Sequence, residues 1–132
     1  MIILSPSDKF EIKCDGAVFT VSPYTKAQEL ELEKCVSINA GEEVIDVKEQ
    51  QRLVFKFCIK AIEGVKKASG EEFVFKFDDN GCLCDEHADL MIMNISSSKV
   101  YLGLLSLRQG KTGTITTHDG GEPDMELNYL GN

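Results

Sequence analysis

One cluster in this chain of 132 residues carries side chains that could bind a metal: Cys82, Cys84 and His87 lie close together. Two thiolates and an imidazole are ligands that suit zinc. The spacing argues against a site, because a Cys-x-Cys pair lacks the usual two-residue gap and no second Cys/His pair follows at zinc-finger spacing. His118 lies far along the chain. We therefore expect no metal and no cofactor, and a small Cys/His metal-binding protein remains an alternative.

Two other patterns could in principle bind calcium or support catalysis, but neither meets the requirements of such a site. The run Asp78–Gly81 resembles part of a calcium loop, but aligning its glycine with the invariant glycine of an EF-hand places Lys76 and His87 where acidic ligands are required. A turn between a strand and a helix accounts for this run better. His87 could act as a base for a nearby cysteine, yet nothing marks an oxyanion hole or an orienting partner. The sequence therefore predicts a protein that is not an enzyme.

The charge of the chain excludes several classes of partner. Lys and Arg number 14 against 22 Asp and Glu, which gives a formal net charge of −8. Phosphate backbones and anionic lipids repel such a molecule, so we expect no nucleic acid and no membrane partner. The N-terminus lacks the layout of a secretory signal, and no apolar run reaches the length of a membrane span. The 5 cysteines show no framework pattern, which predicts reduced thiols in a cytosol.

The first third of the chain predicts a hairpin, a short helix and a further strand. Alternating apolar residues between positions 10 and 14 precede an Asp15-Gly16 turn into a second strand. Thr25 with Gln28 three residues later forms a capping box for a brief helical turn. Alternation over residues 30–38 then predicts a strand.

A long helix is predicted from about Val44 to Ile62, because apolar residues recur at spacings of seven, four and three between Val47 and Ala61. Its second half holds more apolar residues than one helix face needs. This excess predicts either burial between two layers or an exposed docking surface. The candidate partner-binding residues of this helix are Leu53, Phe55 and Phe57.

The remaining segments predict a second hairpin, two helices and a tail. Val65 and the run Glu71–Phe77 should form the hairpin, with its three phenylalanines against the long helix. Asp85 can cap one helix, and the serines at 96–98 can cap another over Lys99–Gln109. Further candidate partner-binding residues lie in that last helix: Leu102, Leu104, Leu105 and Leu107. Residues 111–132, rich in Gly and Thr, predict a flexible tail.

These elements together predict a single α+β domain over residues 1–110. Its core is a small antiparallel β-sheet packed on a central helix, followed by two short helices, and residues 111–132 form a C-terminal tail. A chain of this length is about one domain long and can bury roughly two thirds of the surface that its unfolded form exposes.

Several segments resemble small morphogenesis proteins of tailed bacteriophages. Those proteins often show an apolar helix, an x-Gly-hydrophobic step, a D-x-G-type turn, a short strand and a Leu-x-x-Glu helix start. The similar segments here are Phe57–Val65, Ser69–Glu71, Phe75–Leu83 and Asp85–Leu90. Ala17–Thr25 resembles their Phe-x-hydrophobic-x-Pro-Leu-Thr segment, with Tyr24 in place of leucine. The likeness covers about residues 16–95, and the tryptophan often found before the glycine is absent.

The resemblance implies a non-enzymatic protein that acts through contacts with other proteins. A tail assembly chaperone is the first expectation, with the tape-measure protein or the tail tube protein as its partner and the host cytoplasm as its location. An acidic domain with an apolar surface has suitable physics for covering apolar helices before assembly. The alternative is a head-tail or tail structural subunit, which would form homo-oligomers and lie in the virion.

Overall fold

The computed structural model describes residues 3–94, 97–108, 113–115 and 125–131. The elements are β1 (Lys9–Cys14), β2 (Ala17–Val21), α1 (Lys26–Glu33), β3 (Val36–Asn39), β4 (Glu42–Ile45), α2 (Val47–Cys58), β5 (Ile59–Glu63), α3 (Asp85–Asn94), α4 (Ser97–Arg108), β6 (Gly113–Ile115) and β7 (Met125–Gly131). A five-stranded antiparallel sheet has the order β5-β2-β1-β7-β6, and β3 pairs only with β4 among the described strands. The predicted α+β class is confirmed.

One face of the five-stranded sheet forms the floor of the core. Ile12 of β1 pairs with Phe19 of β2 on one side and with Leu127 of β7 on the other, and all three side chains are fully buried. The predicted hairpin of β1 and β2 is confirmed. Its turn takes positive φ at both Asp15 and Gly16, the conformation that continues the twist of the two strands.

Helices cover this apolar face of the sheet. Helix α4 contacts β1 and β7, while α2 contacts β5 and each of the other three helices. At Gly103 a Cβ atom would lie 2.9 Å from Ile12 Cδ1 and 3.0 Å from Met125 Sδ, so the missing side chain lets α4 approach the sheet closely. The central position of α2 and the two helices after residue 84 agree with the predicted architecture.

The predicted helix over Val44–Ile62 is too long at both ends. Residues 44 and 45 belong to β4, and α2 begins after Asp46, whose side chain accepts a hydrogen bond of 3.2 Å from the Glu49 N–H. At the other end Ile59 takes an extended conformation and starts β5, in which Ile62 pairs with Phe19. Pairing with β2 therefore ends the helix, although the local apolar spacing would continue it.

The predicted hairpin after β5 is present only in part. A bridge between Lys66 and Glu72 is the remnant of its ladder, with the Phe73 N–H donating to the Val65 carbonyl at 2.8 Å. Two of its three phenylalanines contact a residue of α3 that the sequence did not suggest as their neighbour. Phe73 and Phe75 pack against the ring of His87 in α3, with centroids 5.1 and 5.5 Å away.

The expectation of a flexible tail is wrong for Met125–Gly131. This segment is strand β7, which lies between β1 and β6 and buries Met125 and Leu127. The fold therefore continues beyond the predicted boundary at residue 110, because the free edge of β1 needs a partner strand. Gly113–Ile115 of the predicted tail form β6, and the other residues of the tail, His118 included, lie outside the described residues, as do residues 1, 2, 95, 96, 109 and 110.

Candidate partner-binding groove

Helices α1, α2 and α4 enclose an open groove of about 350 Å³, which we call the three-helix groove. Helix α2 lines it with Gln50, Val54 and Cys58, which recur every four residues and therefore lie on one side of the helix. The other helical lining residues are Glu29, Leu32 and Glu33 of α1 and Tyr101, Leu104, Leu105, Leu107 and Arg108 of α4. Three helical stripes thus converge on one concave surface.

The floor of the groove is apolar and belongs to the core. Leu32, Val54, Cys58, Leu104 and Leu107 are each less than a tenth exposed. Leu105 stands half-buried among the lining residues of α4. An incoming apolar side chain would therefore meet hydrocarbon at the base of the groove and at Leu105, and its burial there would be favourable.

The rim of the groove carries charges of both signs at separate places. Glu29 and Glu33 lie on α1, and Glu29 pairs with Lys26 at 3.3 Å. On α4 the guanidinium of Arg108 lies 4.8 Å from the centroid of the Tyr24 ring, a cation–π contact. Burial raises the pKa of Tyr24, with Arg108 opposing, so the phenol is neutral at neutral pH.

Local sequence signals position two of the three helices. The predicted capping box of α1 is confirmed: the Thr25 N–H donates to Gln28 Oε1 at 2.8 Å, and the Gln28 N–H donates to Thr25 Oγ1 at 3.2 Å. Asp46 caps α2 through its side chain alone, which accepts from the Glu49 N–H. These caps set where each helix begins, and hence which residues of its stripe reach the groove.

A charged cluster holds α2 against α3 on the side of α2 opposite the groove. Arg52 donates to Asp85 at 2.6 Å, to Asp89 at 2.8 Å and to Glu49 at 3.1 Å, and Lys56 donates to Asp85 at 2.8 Å. The hydrogen bond and charge of Lys56, followed by those of Arg52, hold the pKa of Asp85 below its usual range. Arg52 lies two residues from both Gln50 and Val54, roughly 200° around the helix. The cluster therefore serves to position α2.

The structure separates the candidate residues of the first predicted docking surface. Phe55 is fully buried in the core, whereas Leu53 and Phe57 are half-buried and pack against its edge. Leu53 and Phe57 are four residues apart and share a side of α2, while Phe55 points away from both because each residue advances by about 100°. The three residues therefore form no common surface, and none of them lines the groove.

The candidate partner-binding leucines of α4 lie mostly in the groove. Leu104, Leu105 and Leu107 all line the three-helix groove, whereas Leu102 packs half-buried against the core. Leu104 and Leu107 are almost completely buried, so only Leu105 of this set offers side-chain surface within the groove. Sequence reasoning thus found part of one wall. It missed Tyr24, Glu29, Glu33 and Arg108, although the spacing of Glu29, Leu32 and Glu33 on a capped helix was a signal for the second wall.

Cys82, Cys84 and His87 do not form a ligand set. Cys82 and His87 are buried, and His87 Nδ1 accepts a hydrogen bond of 2.8 Å from the Lys76 N–H. Within the described residues, no group of three His, Cys, Asp or Glu side chains is placed to hold one metal ion. His87 acts as a core residue that binds the backbone of the preceding loop.

Two buried thiols are poor nucleophiles. Burial raises the pKa of Cys58 to about 12, and burial together with the adjacent Asp15 raises that of Cys14 to about 11. The thiolate is the reactive form of cysteine, so both side chains are inert near neutral pH. Cys58 therefore contributes hydrocarbon-like surface to the groove floor and no covalent chemistry.

Comparison with protein-family models, with curated proteins and with solved structures finds no match to this chain. Among the helices that the structure describes, none has both the length and the apolar character needed to cross a lipid bilayer.

Proposed function

We propose that this protein is a non-enzymatic assembly factor that binds another protein, and that its role is that of a tail assembly chaperone of tailed bacteriophages. The observation that supports a contact role is the three-helix groove, with its apolar floor and with Leu105 half-buried in its wall. The phage assignment rests on the resemblance over residues 16–95.

The occupant that best fits this groove is an amphipathic helix with basic residues beside its apolar face. A helix in a groove anchors itself through side chains at positions i, i+3, i+4 and i+7. Glu29 and Glu33 on the rim attract Lys or Arg next to those anchors, and the net charge of −8 adds attraction at longer range. The proposed clients are the tape-measure protein and the tail tube protein, met in the host cytoplasm without a cofactor.

A synthetic peptide tests the groove directly. The probe is a fluorescently labelled amphipathic helix of Leu and Lys with leucines at helical spacing, and the reference is a peptide of the same composition in scrambled order. We expect the helical peptide to bind at least ~10-fold more tightly than the scrambled one, as measured by fluorescence anisotropy. Equal affinity for the two peptides would refute binding by a structured groove, because charge alone treats both alike.

Three variants locate the binding surface. Leu105→Glu places a charge in the groove and should abolish binding of the Leu/Lys peptide. Leu30→Glu is the matched control, since Leu30 is 50% exposed on α1 and does not line the groove. Glu33→Lys changes an exposed rim residue without touching the core, and should shift preference from a Leu/Lys helix to a Leu/Glu helix. Equal binding by Leu105→Glu and Leu30→Glu would overturn the assignment of this surface.

Co-expression tests the phage role separately. The proposal requires a gene for a long helical protein of the tape-measure type near the gene for this chain. The product of that gene should remain in the soluble fraction when co-expressed with the wild-type protein and should precipitate when co-expressed with Leu105→Glu. A client that is equally soluble with and without this protein would argue against a chaperone role.

A further inference from the structure

We infer that the outer edge of β3 is a self-association site, at which two copies of this chain join their β3 strands antiparallel into one four-stranded sheet. This interface lies beside the three-helix groove, because Val36 of β3 also lines the groove, but the inference does not depend on the binding role proposed for the groove. It would make the protein a two-fold symmetric dimer at high concentration.

The first observation is the exposure of the β3–β4 hairpin. All eight of its strand residues are exposed, and it shares no ladder with the five-stranded sheet. Four of them are large and apolar, with Ile38 at 77%, Ile45 at 48%, Val44 at 47% and Val36 at 37% exposure. An isolated two-stranded hairpin is marginally stable in water, whereas four strands with an apolar face are stable.

The second observation is the difference between the two edges of the hairpin. β4 carries Glu42 and Glu43, and acidic side chains are a common protection against edge-to-edge pairing. β3 reads Val-Ser-Ile-Asn and has no charge, proline or glycine. In a chain with a net charge of −8, two copies can approach at this uncharged strand edge with less repulsion than at the acidic edge of β4.

The backbone groups on the β3 edge have a reciprocal arrangement. The Asp46 N–H donates to the Cys35 carbonyl at 2.9 Å, so residue 35 directs its backbone toward the β4 side. Because successive residues of an antiparallel strand point their N–H and C=O groups to opposite sides, Val36 and Ile38 direct theirs away from β4. No described strand pairs with that outer edge. Val36 of one copy can therefore exchange both hydrogen bonds with Ile38 of the other.

In the same register the apolar side chains of the two β3 strands also face each other. Placing the two-fold axis at Ser37 sets each Val36 opposite the Ile38 of the other copy, on one face of the new sheet. Ile45 pairs with Val36 within each hairpin and lies on that face too. Six apolar side chains would then form one continuous stripe. An unrelated strand would have to match both the pattern and the register, whereas a second copy does so by symmetry.

The acidic residues do not oppose this arrangement. Glu43 pairs with Ile38 in the hairpin, so the two copies of Glu43 would be separated by three strand spacings. At ~4.8 Å per spacing this is ~14 Å. Such a distance exceeds the Debye length of ~8 Å at physiological ionic strength. The interface itself is small, so we expect a weak and reversible dimer.

Sedimentation equilibrium over ~10 µM to ~1 mM protein, with a reducing agent present, measures this dimer. We expect the average mass to rise with concentration for the wild-type protein. Ile38→Pro removes an outward N–H without touching the ladder to β4, and Ile38→Glu places a charge in the apolar stripe. Each should raise the dimer dissociation constant by at least ~10-fold. Val44→Glu adds the same charge on the other face of the hairpin and should keep the wild-type constant.

Engineered cysteines test the register even if the proline disturbs the hairpin. In a Cys84→Ser background, Ser37→Cys brings two thiols together at the two-fold axis and should form a disulfide-linked dimer on mild oxidation. Val44→Cys is the control, because its two copies would lie three strand spacings apart. A wild-type mass that stays that of one chain at every concentration, or equal cross-linking of both variants, would overturn the inference. Ile38 does not line the three-helix groove, so Ile38→Pro should bind the Leu/Lys peptide as the wild type does. Failure of the dimer test would therefore leave the proposal for the groove unaffected.

Discussion

The burial of Cys58 beneath the groove makes the stability of the protein sensitive to alkaline pH. Cys58 ends α2 and is 3% exposed, and burial raises its pKa from 9.0 to about 12, with Lys60 and Arg108 opposing. The folded state therefore keeps the thiol proton at pH values where the unfolded state loses it. The stabilisation from the neutral thiol is complete below pH 9 and is lost as the pH rises toward 12.

The size of this effect follows from the two pKa values. Between them, one proton separates the folded and unfolded states, and the free energy of unfolding falls by about 1.4 kcal/mol per pH unit. Between about pH 8 and about pH 10.5 the loss due to this thiol is about 2 kcal/mol. Cys58→Ala lacks this titration. Its free energy of unfolding should therefore fall by ~2 kcal/mol less than that of the wild type over the same interval.

Urea denaturation followed by far-ultraviolet circular dichroism measures the difference. The denaturation is repeated at several pH values between ~8 and ~10.5, with a reducing agent present. The alanine variant is less stable than the wild type at pH ~8 because it leaves a small cavity, so only the change with pH is compared. Cys84→Ala keeps Cys58 and should show the pH dependence of the wild type. The same loss of stability in Cys58→Ala and the wild type would refute the burial of this thiol beneath the groove.

Two further predictions concern a close backbone approach and the accessibility of the thiols. Gly64→Ala should destabilise the protein by ~2–4 kcal/mol in urea denaturation, because φ is +83° and the new Cβ would lie 2.6 Å from the Gly16 carbonyl oxygen. Gly70 has φ of +93° and open space around the Cβ, so Gly70→Ala should lower the free energy of unfolding by only ~1–2 kcal/mol. Equal losses in the two variants would contradict the close approach of Gly64 to the Gly16 carbonyl. Iodoacetamide near neutral pH should modify Cys84 first, because the other cysteines are buried. If peptide mass spectrometry found another cysteine modified as fast as Cys84, that result would contradict the burial of that cysteine in the core.

The parts of the candidate site that could be predicted are those encoded by neighbouring residues. The capping box at Thr25 located the start of α1, and the recurrence of Val54 and Cys58 located one side of α2. The docking role of Leu53, Phe55 and Phe57 could not be judged in this way. An apolar residue gives the same local sequence pattern whether it is buried in its own domain or exposed at a binding surface. Only the positions of the other helices decide between the two.

The sequence alone determined several local elements of this protein, although the strand predicted over residues 30–38 begins only at Val36, because α1 continues to Glu33. The alternation before the Asp15-Gly16 turn specified a hairpin, because side chains of a strand alternate between its two faces. The α+β class and the two helices after residue 84 followed from similar short-range patterns.

Only the tertiary structure decided where α2 ends, where the C-terminal segment lies and which leucines remain accessible. Ile59–Glu63 leaves the helix because β2 offers it a pairing edge, and Met125–Gly131 joins the sheet because β1 offers another. Both choices depend on hydrogen-bond partners many residues away. Local propensity does not contain such long-range terms, and backbone groups that become buried must find those partners wherever the chain provides them.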